Sequence, residues 1–203
     1  MTERPPHGSA RPGGRTARTR AAVLAAAYQE LDSDSFAELT LDRLARRSGV
    51  HVSTIRRRWR TVEGVVVDLL AERSSTLPTP DTGDFHRDLS ELTQAIADFN
   101  NALRNRNVMQ GLLAAAAHDT RVEEIVRSAF VRRTEEVTLI VRNAVERGDI
   151  PEGTDAREVI AALGAPIYYR VLILRGSIDQ RLVHTTVEAT YQAVRSGVFV
   201  RKG

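Results

Sequence analysis

The 203-residue chain contains no cysteine, which excludes disulfides and thiolate metal sites and suits a reducing, cytoplasmic setting. Aromatic residues are scarce at 5%, with a single tryptophan. Alanine is abundant, and that balance favours helix over strand. No apolar run approaches the roughly 18 residues of a transmembrane helix, so no membrane association is expected. The opening stretch MTERPPHGSARPGGR lacks the apolar centre of a secretory signal.

Catalytic patterns are missing too. His7, His51, His86, His118 and His184 are scattered without metal-ligand spacing, and neither a phosphate-binding glycine loop nor a nucleophile elbow occurs. His118-Asp119 reads as a helix end followed by an N-cap. Glu123-Glu124 and Glu135-Glu136 read as the solvated face of a long helix. No catalytic residue, metal or cofactor is expected, and the chain reads as a non-enzyme.

What the chain does have is an uneven charge. The net charge is only +3, yet residues 1–80 carry 13 arginines against 9 acids, while residues 81–203 carry 16 basic residues against 17 acids. Between Arg43 and Val62 stand seven arginines and no acid. Such a patch on a near-neutral protein points to a polyanionic partner, the alternative being a solvated basic face.

The pattern of breaks predicts an all-α protein of about nine helices. Residues 1–15 read as a disordered basic arm rich in Pro and Gly. A helix opens at Thr16, carrying Val23, Leu24, Ala27, Tyr28 and Leu31 at helical spacing. Thr40 is placed to cap a short helix through Arg47, Ser48-Gly49 supplies a turn, and a second short helix covers about 51–58. Thr61 caps a helix over 62–74, and Leu77-Pro78-Thr79-Pro80-Asp81 ends it. Five further helices are expected over about 84–105, 107–117, 120–147, 155–175 and 179–198. Pro166 falls inside one of them, predicting a kink near Ala162–Gly164. The implied organisation is a small head over 16–76 and a larger helical body over 82–198.

Two short helices joined through RRSGVH fit a helix-turn-helix, whose second helix lies in the major groove of DNA. On a wheel, Val52, Ile55 and Trp59 share an arc of about 60°, with Ser53, Arg56, Arg57 and Arg60 away from it and Thr54 and Arg58 on its flank. Val50, Ile55 and Trp59 are therefore the expected core of the recognition helix. Like charges three or four residues apart repel by a few tenths of a kcal/mol. With no acids nearby, phosphates or guanine edges are the natural compensation.

At this point the chain becomes recognisable. RAAVLAAAYQEL, Phe36, LTLDRLARRSGV, STIRRRW and VEGVV resemble the DNA-binding domain of the TetR family of bacterial transcriptional regulators. GLLAAAAHDTRVEEIV, AVERGDIPEGTDAREVIAALGAPIYYRVLI and IDQRLVHTTVEATYQAV resemble one subgroup of TetR C-terminal domains. Three positions depart from the family pattern: Arg56 replaces a tyrosine, His51 a capping serine, and Val62 a lysine.

The resemblance implies a ligand-responsive repressor that binds a pseudo-palindromic operator as a homodimer. It implies DNA contacts from Thr40, His51, Ser53, Thr54, Arg56, Arg57, Arg58 and Arg60, with the N-terminal arm on phosphates. It also implies a largely apolar effector cavity in the body, for which Phe99, Leu103, Met109, Leu112, His118, Phe130, Val137 and Tyr168 are candidates. The family's dimer packs its last two helices against their symmetry mates. Apolar stripes at Leu163, Ile167, Val171, Leu174, Val183, Val187, Tyr191 and Val194 offer such a surface, or else an intramolecular core. Two other functions fit the same arginines: a helical RNA or nucleoid binder without base readout, and a module for an acidic protein partner.

Overall fold

A computed structural model describes residues 14–33, 36–201 of the chain. Nine α-helices occur among these residues: α1 (Arg15–Ser33), α2 (Leu41–Ser48), α3 (Val52–Trp59), α4 (Val62–Ser74), α5 (Phe85–Asn101), α6 (Leu103–Ala116), α7 (Thr120–Arg147), α8 (Ala156–Tyr168) and α9 (Gln180–Arg195). The chain separates into two compact units, Met1–Val65 and Val66–Gly203, so the division falls inside α4. The sequence had suggested the proline-rich stretch after α4 as the boundary. The expected arm lies almost wholly outside the described residues.

The helix starts are chemically explicit. Thr40 accepts the Arg43 N–H at 3.2 Å, Asp84 that of Arg87 at 3.1 Å, Asp119 that of Arg121 at 2.8 Å, and Asp179 that of Leu182 at 2.8 Å. Each satisfies an N–H that the helix itself cannot. Thr61 does the same for Gly64 at 3.2 Å. Gly49 ends α2 at φ +68°, a left-handed conformation that costs glycine little.

In the first unit α1 packs on α2 and α2 on α3, burying Val23, Leu24, Ala27, Leu44, Ile55 and Trp59. In the second, α5, α7, α8 and α9 surround a core of Leu89, Leu92, Ile140, Val141, Val159, Leu163, Val187 and Val194. A smaller cluster joins Ala97, Ile167, Val171, Ile178 and Val183.

Two boundaries differ from the sequence reading. The expected helix over 84–105 stops at Asn101, because Ala102 is extended (φ −62°, ψ 115°). Asn105 then donates to the Phe99 carbonyl across the break at 2.8 Å. Asn101 turns outward from the ladder, exchanging hydrogen bonds of 2.8 and 2.9 Å with the backbone of Ile178. Beyond Pro166, α8 continues through Tyr168 and then widens into a π-helical turn over Tyr169–Ile173. The irregularity thus follows the proline, where a kink at Ala162–Gly164 had been expected. Gln110 takes up one carbonyl of the widened turn, donating to Val171 O at 3.2 Å.

Candidate functional site

The basic segment resolves into two groups. Glu30, on α1, is buried at 5% exposure and pairs with Arg43 at 2.6 Å and with Arg47. The Arg47 hydrogen bond, then Arg43, holds its carboxyl below the ordinary glutamate value, against the upward push of burial. Two of the seven arginines are therefore compensated from a helix that the local sequence window does not include. For Arg46, Arg56, Arg57, Arg58 and Arg60 no ion pair is found among the described residues, and all five are exposed.

On α3, Ile55 is fully buried and Trp59 is 9% exposed, while Ser53, Arg56, Arg57 and Arg58 face solvent and Thr54 is half-buried. Val50 is half-buried as well. The Arg58 guanidinium lies 5.1 Å from the centre of the Trp59 ring, a cation–π contact that leaves the charge at the surface. Arg57 and Arg58 share a cleft with Arg15, Thr16, Thr19, His51 and Thr54. It joins the start of α1 to the start of α3 in one polar, positively charged concavity. Arg15 is the last residue of the arm expected on phosphates, and here it opens α1. Thr16 and Thr19 are not among the expected contact residues, since nothing in their local sequence marks them. His51 occupies the N-cap position of α3 without a side-chain cap, and Thr40 is exposed but already engaged as the cap of α2.

The exit from α3 is tight. Arg60 adopts φ +64°, ψ −47°, and Thr61 N–H donates to Trp59 O at 2.7 Å, closing a strained γ-turn. A Cβ on Gly64 would stand 2.4 Å from the same Trp59 oxygen. Only glycine allows that approach.

The body contains an apolar cavity of about 200 Å³. Helix α5 contributes Leu92, Ile96, Phe99 and Asn100 to its wall; α7 contributes Ala129, Phe130, Arg133, Thr134 and Val137. Met109, Ile160, Gly164 and Tyr168 add further wall, and Leu70, Ala71 and Leu77 complete it. The Phe130 and Tyr168 rings meet edge-to-face with centroids 5.6 Å apart. Burial pushes the Tyr168 phenol above its ordinary value, so it stays neutral.

Of the eight cavity residues expected from the sequence, Phe99, Met109, Phe130, Val137 and Tyr168 line it. Three expectations are corrected. Leu103 is 60% exposed, Leu112 is buried away from the cavity, and His118 is exposed beyond the end of α6. The break at Ala102 rotates Leu103 out of the stripe that an unbroken helix would have given it. Arg133 and Asn100 were missed, because a polar residue on an amphipathic helix gives no local sign that it faces inward.

The dimer stripe is corrected more heavily. Leu163, Ile167, Val171, Val183, Val187 and Val194 are at most 7% exposed within the single chain, so they are the intramolecular core that the sequence offered as the alternative. Tyr191 is half-buried against Phe85 and His86. Leu174 alone of that set is openly exposed, at 55%, beside Tyr169 and Ile173 on the π-helical turn.

Residues 79–190 match the family of tetracyclin repressor-like C-terminal domains. The chain belongs to the TetR family. The uncharacterised HTH-type transcriptional regulator YdeS of Bacillus subtilis is 28% identical over 180 residues, covering 88% of this chain and 90% of its own. The HTH-type transcriptional regulator AqdR of Rhodococcus erythropolis is 28% identical over 188 residues, covering 92% and 90% respectively. In structure, the TetR family transcription regulator SCO0332 superposes with a TM-score of 0.77 at 27% identity, covering 87% of this chain and 98% of its own. The regulator is thus an all-helical, DNA-binding protein of the helix-turn-helix kind, and its relatives are transcriptional regulators. Among its described residues no helix is long and apolar enough to cross a membrane, and no cluster of three metal-ligating side chains occurs.

Proposed function

We propose that the regulator is a homodimeric repressor that binds a pseudo-palindromic operator through α3 and is released by a small, mainly apolar effector held in the body cavity. The observation that carries this reading is the division of α3 into a buried face of Ile55 and Trp59 and an exposed face of Ser53, Arg56, Arg57 and Arg58. A helix anchored on one side and unneutralised on the other is built to enter a groove lined by phosphates. Arg57 is the first choice for base readout, since Arg58 also stacks on Trp59. Thr54 and Ser53 flank it, with Arg56, Arg60 and Arg15 on phosphates.

Effector release follows from linkage. A ligand that prefers a body conformation incompatible with operator spacing lowers DNA affinity by its differential binding to the two states.

The test is to replace Arg57 and Arg58 separately by alanine and measure operator and random-duplex affinity at two salt concentrations. A base-reading arginine loses about 1–3 kcal/mol on the operator and much less on random duplex. Equal losses on both duplexes, with a salt slope shallower by about 1, reassign it to phosphate. No change in either affinity sinks α3 as the reading helix.

A further inference from the structure

Asn100, one of the residues that line the cavity, carries a buried acceptor. Asn100 is 2% exposed, and its Nδ2 donates to Ile96 O at 2.8 Å. That bond fixes the amide orientation, since the flipped side chain would set two oxygens against each other. Oδ1 is left without a hydrogen-bond partner among the described residues. A buried carbonyl in that state is destabilising until a donor reaches it.

The one charged group in the wall is differently placed. Arg133 donates through Nη1 to Glu136 at 3.2 Å, and through Nη2 to the carbonyls of Leu77 and Pro78 at 3.2 and 3.1 Å. Its charge is paired with Glu136, and three of its five N–H donors are engaged. An anionic ligand would meet a cation already paired with Glu136 and leave its own carboxylate in an apolar cavity beside a neutral phenol. The cavity therefore asks for a donor and offers no uncommitted cation.

Size narrows the class further. The volume of about 200 Å³ exceeds the roughly 150 Å³ of an apolar cavity known to hold benzene. Phe99, Phe130 and Tyr168 provide ring faces and edges. Resting on the reading of this cavity as the effector site, we propose that it accepts a neutral molecule of one or two fused aromatic rings that donates an O–H or N–H to Asn100 Oδ1.

Three probes with one ring system separate the possibilities: naphthalene, naphthol and naphthoate, titrated calorimetrically into the full-length protein. Naphthol is expected to bind about tenfold more tightly than naphthalene, as a satisfied buried acceptor requires, and naphthoate more weakly than either. In Asn100→Leu, of matching size, the order of the two neutral probes reverses, because the hydroxyl is then buried without a partner. The wild-type ranking needs no variant, so a poorly folded Asn100→Leu does not spare the proposal. Equal binding of naphthol and naphthalene, or a naphthol preference that survives in Asn100→Leu, overturns the role of Asn100 while leaving the cavity a ligand site. Tightest binding by naphthoate hands the site to Arg133 and overturns the neutral class. Failure of all three probes removes the effector cavity itself.

Discussion

A single buried carboxylate changes how the basic patch is understood. Glu30 draws Arg43 and Arg47 out of the pool available to DNA, and ties α1 to α2 in doing so. Its carboxyl is held below the usual value, so its stabilising contribution is complete above the unfolded pKa of about 4.3 and is lost as pH falls through the lowered folded value. Glu30→Gln is expected to destabilise the head by about 1–2 kcal/mol at neutral pH. The figure sits low in the range for charged hydrogen bonds because Arg47 is 44% exposed. Thermal melts of both proteins from neutral pH downward check this: the gap should hold at neutral pH and close in acid. A gap that persists undiminished in acid would assign the loss to packing.

At the scale of the element, the link from α3 to α4 is the most constrained turn of the head. Arg60 sits at a positive φ that non-glycine residues adopt only at a cost, and Gly64 lets α4 start against the Trp59 carbonyl. Two substitutions there should act in opposite ways. Gly64→Ala gains roughly 1 kcal/mol of helix propensity but drives a methyl into a backbone oxygen, an overpacking cost of about 1–3 kcal/mol. Its net effect is a lower melting temperature and weaker operator binding through a displaced α3. Arg60→Gly relieves the turn, so the fold should hold or gain stability while phosphate affinity drops with the lost charge. Melting curves beside operator titrations separate the pair, and an unchanged Gly64→Ala protein would refute the close approach.

For the whole molecule, the homodimer proposed above is expected to cover the apolar side chains exposed at Tyr169, Ile173 and Leu174. Light scattering is expected to give twice the monomer mass at micromolar concentration, and Tyr169→Glu together with Ile173→Glu should halve it without loss of helicity. A monomeric wild type would rule out the two-headed operator reading.

The same surface marks what the sequence could and could not reveal. Helical periodicity, capping residues and the glycine turn made α1–α4 legible, because those signals act within a few residues. Ile55 and Trp59 were legible as the inward face for the same reason. Glu30 acting on Arg47, Asn101 holding Ile178 and Asn105 bridging the break at Ala102 all depend on contacts beyond one helical period. So does the fate of the α8 and α9 stripes. A stripe announces burial, but it does not say whether the cover comes from the same chain or from a second copy.

Trp59, the only tryptophan, also gives the regulator a built-in optical reporter. Its indole lies in the head beneath the Arg58 guanidinium, whereas the cavity contains phenylalanine and tyrosine and no indole. Excited at the red edge of its absorption, the protein emits from one place. A shift in that emission when a non-fluorescent effector enters the body would therefore register communication between body and head, free of any signal from the cavity itself.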